Sequence, residues 1–316
     1  MNRIKPDTLD HGVHTVDTGY IRSGFDASHI IVESGRAAFV DVGTNHSVPQ
    51  LLQGLADLGL APDAVDYIIL THIHLDHAGG AGELIKQLPN AQLTVHPRGA
   101  RHMIDPGKLI AGATAVYGEA RMEALYGTIT PVAVERVVET PDRFELYLNG
   151  RRLEFLDTPG HARHHVCVVD DKSQGIFTGD TFGLAYKELD TDAGAFVFPS
   201  TSPVQFDPDA LIQSIERLLT YQPERMYLTH YGAVENVAHC AQGLLKRVRG
   251  FADLARDVPI EAPDRHRQLV AGQWEILLGD LNDHGCTLAE NEIRDLLVLD
   301  VEVNAQGLAI WRDRLG

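Results

Sequence analysis

The chain has few cysteines and no long apolar run, and each shortage excludes a class of protein. It contains three cysteines in 316 residues, none of them in a C-x-x-C pair, which argues against a disulfide framework. No apolar run approaches the roughly 18 residues that a membrane-spanning helix needs. The N-terminus also lacks the apolar segment of a secretory signal. We therefore expect a cytoplasmic protein that makes no membrane contact.

Basic residues are also scarce relative to acidic ones. Lys and Arg total 27 against 44 for Asp and Glu, which gives a formal net charge of −17. Nucleic-acid affinity comes mainly from the neutralisation of phosphates by Lys and Arg, so this balance disfavours a nucleic-acid partner. We expect a small-molecule substrate and read the charge itself as serving solubility.

Histidine, by contrast, is abundant, and one cluster of it is informative. The chain has 16 histidines, and three of them fall with an aspartate in the run His72-Ile73-His74-Leu75-Asp76-His77. An apolar segment at 65–70 precedes the run, and Gly79-Gly80 opens a helical pattern after it. Strand end, loop and helix start is the place where open α/β sheets put their sites. Imidazoles beside a carboxylate suit a divalent ion, so the run predicts a metal-dependent enzyme.

Strand-like and helix-like patterns alternate over about the first 230 residues. The alternation is interrupted by a helical stretch at about 98–130, and an insertion of this length is typical of a lid, a pocket wall or an oligomer contact. We predict strands at 13–16, 28–32, 37–42, 66–70, 93–96, 132–138, 144–148, 153–156, 166–169, 175–178 and 226–229, with helices at 47–58, 83–88 and 207–221.

The remainder of the chain is predicted to be helical throughout. Four helices are expected, at 234–255, 264–282, 288–299 and 308–314. We therefore divide the chain into a catalytic domain at 1–233, which includes the helical insertion, and a C-terminal helical extension at 234–316. The segment 296–301 is too apolar to face water, which predicts docking on the body of the protein or on a second copy in a homodimer.

Three further ligand-type residues follow predicted strands in glycine-containing turns. His161 comes after the strand at 153–156 and a Pro-Gly turn, and Asp180 comes after the strand at 175–178. His230 ends the last predicted strand. Each repeats the arrangement of the histidine run, an apolar strand followed by a candidate ligand.

With these residues the chain resembles the metallo-β-lactamase-fold superfamily of hydrolases. The resemblance covers about residues 10–235 and depends on Asp41, the histidine run, His161, Asp180 and His230 in that order. It is closest to the glyoxalase II-like, thioesterase-like branch with a C-terminal helical extension. It implies an α/β (α+β) fold, the four-layer αβ/βα sandwich, with two mixed sheets facing each other, helices outside and metals at one edge.

The resemblance also implies roles for these residues. Two divalent metal ions are expected, with zinc preferred and iron or manganese as alternatives. A water shared by two such ions ionises near neutral pH, and the hydroxide would attack the substrate. The implied ligands of the first ion are His72, His74 and His161, and those of the second ion are Asp76, His77 and His230. Asp180 is implied to bridge the two ions, and Asp76 and Asp180 are the implied catalytic residues. Asp41 is implied to hold the loop and its histidine by hydrogen bonds.

The sequence leaves the residues around the metals open. Tyr20 and Phe25 lie between the first strands, and Phe182 and Tyr186 follow Asp180. All four either contact the substrate or serve packing. The neighbouring histidines at 164–165 are not expected to be ligands, because one histidine from their turn completes the site.

Three functions fit these residues. The first is a dinuclear hydrolase of a small ester, thioester, lactone or phosphodiester. The second is a mononuclear non-haem iron dioxygenase of the same fold, similar to persulfide dioxygenases. Such dioxygenases tend to carry Ala and Thr-Gly where this chain has Leu75 and Gly79-Gly80, which favours hydrolysis. The third is a regulatory or ligand-binding protein that retains its metal.

Overall fold

The computed structural model describes residues 5–201 and 204–315. They form two compact units, between which the chain passes several times. The first unit consists of 5–157, 164–179 and 227–232, and the second of 158–163, the described part of 180–226, and 233–315. The predicted domain boundary between 233 and 234 stays a prediction.

The first sheet is mixed and has the order β1-β2-β3-β4-β5-β6-β7. Strands β1 to β4 pair antiparallel, whereas β4 to β7 pair parallel. Parallel strands need crossover connections, and helices supply them here. The strands are β1 (Asp7–Thr8), β2 (Val13–Asp17), β3 (Ala27–Glu33), β4 (Arg36–Val40), β5 (Val65–Ile69), β6 (Gln92–Val95) and β7 (Val137–Glu139).

The second sheet has the order β13-β12-β11-β10-β9-β8 and is antiparallel across β8 to β11. Asn149 and Gly150 turn β8 into β9 with φ of 45° and 91°, as a tight two-residue hairpin requires. The strands are β8 (Phe144–Leu148), β9 (Arg151–Asp157), β10 (Val166–Asp170), β11 (Gly175–Gly179), β12 (Arg225–Leu228) and β13 (Gly232–Val234).

A histidine lies between the two sheets. His29 in β3 donates from Nε2 to the backbone oxygen of Leu228 in β12 at 3.0 Å, and its Nδ1 lies 3.2 Å from the hydroxyl of Thr15. Its ring packs edge-on against Phe177 and Tyr227 of the second sheet. Burial lowers the pKa of His29 to about 4, so the ring is neutral. The predicted face-to-face packing of two sheets is confirmed by these contacts.

Helices cover the outer face of the first sheet. The core there joins apolar residues of α1, α3 and α4 to the side chains of β2 to β6 that face these helices. Among the described residues the helices are α1 (Val48–Asp57), α2 (Leu75–Ala78), α3 (Ala81–Gln87), α4 (Pro97–Ile104), α5 (Gly107–Tyr117), α6 (Glu119–Tyr126), α7 (Pro208–Leu219), α8 (Val237–Asp257), α9 (Arg265–His284) and α10 (Glu290–Arg314). In the described part of the chain, none of these helices is long and apolar enough to cross a membrane.

Most predicted elements are confirmed, including the helical insertion, which forms α4, α5 and α6. Three predictions were wrong. The strand at 132–138 is reduced to β7, because 134–136 forms a 3-10 turn. Strand β12 is followed by β13 and is not the last strand. The two helices predicted at 288–299 and 308–314 are one continuous helix, α10.

Candidate metal centre

Three ligand-type side chains converge in the first unit. Asp76 and His77 lie on α2, just beyond the end of β5, and His230 follows β12. The Nε2 atoms of the two histidines lie 3.3 Å apart, and Oδ2 of Asp76 lies 3.9 Å from that of His77 and 3.6 Å from that of His230. Tetrahedral ligand atoms about 2.0–2.1 Å from an ion are about 3.3 Å from one another. The three atoms therefore have a spacing that suits one divalent ion.

The other ring nitrogen of each histidine faces an acceptor. Nδ1 of His77 lies 2.7 Å from Oδ2 of Asp41, and Nδ1 of His230 lies 2.8 Å from the backbone oxygen of Phe25. Both acceptors require a proton on Nδ1, so each neutral ring presents the lone pair of Nε2. This is the tautomer that a metal ligand needs.

Asp41 is fully buried, and its carboxylate accepts hydrogen bonds from three segments of the chain. Thr71 donates its backbone N–H to Oδ1 and its hydroxyl to Oδ2, each at 2.8 Å. The hydroxyl of Thr229 donates to Oδ2 at 2.7 Å. Through these donors and His77, the segments that follow β5 and β12 are both hydrogen-bonded to the Asp41 carboxylate. The contacts are those expected of the role predicted for Asp41.

His72 and His74 lie in the loop between β5 and α2. His72 is fully buried, and its Nδ1 lies 3.2 Å from the hydroxyl oxygen of Thr71. The His72 and His74 ring centroids are 4.5 Å apart. His164 and His165 stack on His72 with centroids 6.2 and 4.9 Å away. The sequence gives no sign that His164 and His165 pack on the candidate ligand His72, other than their closeness to His161 along the chain.

The second unit brings together the other two candidate ligands. Nε2 of His161 lies 3.5 Å from Oδ2 of Asp180, and both side chains are buried. Gly160, in the Pro-Gly turn before His161, has a φ of +136°, and a Cβ there would lie 2.3 Å from the backbone nitrogen of Leu211 in α7. The turn that presents His161 is therefore fixed by close packing on a helix.

A family profile described as the metallo-beta-lactamase superfamily matches residues 24–230, a range that contains every candidate ligand. The chain belongs to the metallo-beta-lactamase superfamily. Membership in this superfamily and the Asp76, His77 and His230 cluster together support metal binding. The fold and the resemblance inferred from the sequence are confirmed.

Relatives within the superfamily are distant. The metallo-beta-lactamase fold-containing protein ST1585 of Sulfurisphaera tokodaii is 28% identical over 228 residues, which is 71% of this chain and 79% of that protein. A hydroxyacylglutathione hydrolase of Salmonella paratyphi A is 30% identical over 155 residues, covering 47% of this chain and 43% of that protein.

Solved structures of superfamily members agree on the fold. The crystal structure of ST1585 matches with a TM-score of 0.62 and 25% identity, covering 87% of this chain and all (100%) of that one. The metallo-beta-lactamase family protein TTHA1429 of Thermus thermophilus matches with a TM-score of 0.65 and 20% identity, covering 96% of this chain and 94% of that one.

The four candidate pocket residues of this superfamily member differ in position. Phe25 packs its ring edge-on against His230 at a centroid distance of 5.4 Å, and Tyr20 packs against Phe25 at 5.8 Å. Phe182 and Tyr186 are fully buried in the second unit, where the Tyr186 hydroxyl donates to Asp300 at 3.0 Å. The proposal that Phe182 and Tyr186 touch substrate gains no support from these positions.

Sequence reasoning missed one buried carboxyl group in this region. Asp26 is fully buried beside Phe25, and its Oδ2 accepts from the hydroxyl of Thr18 at 2.7 Å. Burial raises the pKa of Asp26 to about 7, against the opposing attraction of His230 and His77. A lone Asp before a strand carries no motif, so only the fold reveals it.

Proposed function

We propose that this protein is a metal-dependent hydrolase that uses two divalent ions, preferably zinc, to cleave a small-molecule ester, thioester, lactone or phosphodiester. The observation that carries the proposal is the convergence of Asp76, His77 and His230 with both histidine tautomers set for metal binding. A surface cluster of histidines would not have its Nδ1 atoms fixed by buried acceptors.

The full ligand set is part of the proposal. His72, His74 and His161 would hold the first ion, and Asp76, His77 and His230 the second, with Asp180 shared between them. This division comes from the superfamily resemblance. The carboxylates of Asp76 and Asp180 would offset the repulsion between two dications.

The chain's own groups would prepare the site as follows. When bound, the ions would supply an acidified water and polarise the scissile bond. Asp41 and the backbone oxygen of Phe25 hold protons on His77 and His230, so neither ring can lose its orientation without breaking a buried hydrogen bond. The Asp76 side chain keeps 25% of its surface exposed, which leaves this side of the site open to a substrate.

Two observations bear on the substrate, the first on its acyl group and the second on its size and charge. One relative is named as a hydrolase of hydroxyacylglutathione, although it covers only part of this chain. The net charge of −17 also opposes long polyanions. Cytoplasmic location and a homodimer are the remaining parts of the proposal.

The experiment is hydrolysis of ester, thioester, lactone and phosphodiester panels by the zinc-loaded and manganese-loaded protein. His72→Ala should abolish turnover, whereas the matched control His266→Ala, which changes an exposed histidine paired with Glu302, should keep it. Turnover that survives His72→Ala would contradict the proposal. About one iron per chain with oxygen uptake would support the dioxygenase alternative, and bound metal without turnover on any panel would support the regulatory one.

A further inference from the structure

A cavity of about 470 Å³ lies within the second unit, between α8, α9 and the segment 193–197. Its lining comes from positions within 193–197, 239–249 and 280–284, and none of the candidate metal ligands contributes to it. The volume equals that of about 15 water molecules in the liquid and falls in the range of small-molecule pockets. The cavity can therefore hold an organic molecule and is larger than a bare ion needs.

Arg247 of α8 places a buried cation in the lining. Its side chain is only 9% exposed, and the central carbon of its guanidinium lies 3.8 Å from the centroid of the Phe196 ring. Nη1 donates to the backbone oxygen of Val197 at 2.7 Å, and Nε lies 2.9 Å from Oδ2 of Asp280. In the described part of the chain, Nη2 makes neither a hydrogen bond nor an ion pair. The Nη2 group is therefore the donor that remains for a ligand.

The helix itself makes room for this guanidinium. Gly243 precedes Arg247 by about one turn of α8, and a Cβ at Gly243 would lie 2.8 Å from Nη1 of Arg247. Glycine in the interior of a helix is unfavourable relative to alanine. Here its missing side chain leaves the space in which the buried cation lies, so the position of Arg247 is built into α8.

The segment that closes the cavity is attached to the end of α9. The Thr191 hydroxyl donates to the backbone oxygen of His284 at 2.9 Å, and Nε2 of His284 lies 3.0 Å from the backbone oxygen of Gly194. The His284 ring also packs edge-on against Phe196 with centroids 5.4 Å apart. Because these contacts form the lining in advance, a ligand would pay little further ordering entropy.

The charges around the cavity favour an anion. Nζ of Lys246 lies 2.6 Å from Oδ1 of Asp280, whose Oδ2 already faces Arg247. One carboxylate thus faces two cations, and the trio carries an excess positive charge. Arg249 and Asp283 also line the cavity and offset each other. The lining is therefore net positive in a chain whose net charge is −17.

The remaining lining is suited to an apolar body. Ala193 and Ala195 contribute small apolar side chains, and Cys240 is buried between them and α9 in sequence terms only as a member of α8. Burial raises the pKa of the Cys240 thiol, so the thiol is protonated and behaves as a small apolar group. A ligand that carries one charge on a hydrocarbon body would match both parts of this lining.

We propose that this cavity binds a small organic anion, with a carboxylate or phosphate oxygen against Arg247 and Lys246 and an apolar body against Ala193 and Ala195. Nε and Nη1 of Arg247 are engaged by protein acceptors, so the guanidinium offers one NH2 group and not a bidentate fork. A single anionic oxygen is then sufficient, which is why carboxylates and phosphates share this chemistry. The inference does not depend on the proposed hydrolase function.

A purely structural role for Arg247 is the competing explanation, since its contacts join α8 to α9 and to Val197. Such a role requires neither a cavity beside the guanidinium nor a second cation on Asp280. It also predicts that no anion binds here. The two explanations therefore differ in a binding measurement.

The test measures binding of naphthoate, naphthylphosphonate and the neutral naphthalenemethanol to the zinc-loaded full chain by ligand-observed NMR titration. A probe of about 13 non-hydrogen atoms should bind with a Kd of about 1 mM or lower. Both anions should bind about tenfold or more tightly than the alcohol, because a hydrogen bond to a charged group is lost with the charge. Equal affinity for the alcohol would overturn the proposal.

Three variants locate the probe. Arg247→Met should weaken binding of both anions by about tenfold or more. Lys246→Met changes a side chain that is 67% exposed, so the fold should persist while affinity falls about threefold to fivefold. Ala193→Trp adds a large ring at an exposed lining position and should abolish binding by filling the cavity. The last two variants keep the test decisive if Arg247→Met does not fold.

Lys172→Met is the matched control, because Lys172 is a 48% exposed lysine of the first unit that pairs with Glu33. It should bind both anions as the wild type does. The metal-free protein should also bind them with unchanged affinity, since no candidate metal ligand lines the cavity.

The outcomes separate this inference from the hydrolase proposal. Anion binding that requires zinc, or that is unchanged in Ala193→Trp or in Lys246→Met, would overturn the cavity site whatever the protein hydrolyses. Anion binding lost in Ala193→Trp, in a protein that hydrolyses none of the panels, would support the cavity site and contradict the hydrolase.

Discussion

Replacing Asp41 by Asn tests whether the metal centre depends on one buried charge. The substitution keeps the shape of the side chain, but an amide has one acceptor oxygen where the carboxylate has two. Oδ1 now accepts the Thr71 backbone N–H and Oδ2 accepts Nδ1–H of His77. Whichever way the amide is turned, its NH2 group meets one of these two donors.

The magnitude follows from the two orientations. A buried hydrogen bond to a charged group contributes about 1.5–3 kcal/mol, so the metal-free protein should lose about 2–3 kcal/mol of unfolding free energy. If the amide NH2 faces His77, the ring must move its proton to Nε2 and can no longer bind metal. Loss of such an outer hydrogen bond lowers metal affinity about 10- to 100-fold.

Zinc affinity would be measured by competition with a chromophoric chelator, and stability by urea unfolding of the metal-free protein. Asp66→Asn is the matched control, because Asp66 is a partly exposed carboxylate of the same unit that pairs with Arg36. It should leave zinc affinity unchanged and shift stability by less than about 1 kcal/mol. Zinc affinity of Asp41→Asn within twofold of the wild type would refute the reasoning.

Three further perturbations have expected outcomes. The pKa of His29 is lowered from 6.5 to about 4, so between these values the unfolded chain binds a proton that the folded one rejects. Urea unfolding should therefore lose about 3 kcal/mol as pH falls from 7 to 4, and an equal loss in His29→Gln would contradict this origin. Gly82→Ala places a Cβ 1.9 Å from the backbone oxygen of Thr130 and should lower the thermal midpoint by several degrees. Gly279→Ala meets nothing within 4 Å and should raise that midpoint slightly; equal shifts would show that the close contact is irrelevant. Arg151→Met leaves the fully buried Asp170 without its cation and should lower the free energy of unfolding, measured in urea, by about 3–5 kcal/mol. Adding Asp170→Leu should recover most of this loss. No recovery would show that the loss comes from packing and not from the unpaired charge.

Features set by local chemistry could be predicted from the sequence. Asp207 caps α7 by accepting from the Ala210 backbone N–H at 3.1 Å, and Asn149-Gly150 forms the expected hairpin. The histidine run follows β5 and precedes α3, as its flanking residues indicate, and its last residues form the short helix α2. In each case a few neighbouring residues determine the conformation, so a pattern within one short segment is sufficient.

Features set by distant partners could not be predicted. The first part of the strand expected at 132–138 is replaced by a turn, in which the Arg136 guanidinium donates to the backbone oxygens of Ile85 and Ala91, each at 2.9 Å. Within α10, Asn304 lies in the gap between the two helices predicted from the sequence. Its side chain is buried and bonds to the backbone of Pro199 and Thr201. Neither partner set is visible in a local window.

The candidate metal centre likewise contains residues that the sequence identifies locally and residues that only the fold brings into view. The ligand-type residues can be recognised by their position at strand ends and in glycine turns, and the structure brings Asp76, His77 and His230 together. Asp26 carries no motif, because its importance comes from burial beside residues far away along the chain. A sequence therefore reveals the candidate metal ligands of this protein more readily than the buried groups that surround them.

The position of Leu75 has a consequence for how such a protein can diversify. The short helix α2 carries the candidate metal ligand Asp76 next to Leu75, and the side chains that pack on Leu75 come from the insertion. Substitutions in α5 and α6 can therefore shift the helix that carries Asp76 and His77 while these candidate ligands themselves stay constant. A combinatorial library confined to those two helices should vary metal affinity without any change of a ligand residue, which makes the insertion a module for re-engineering this scaffold.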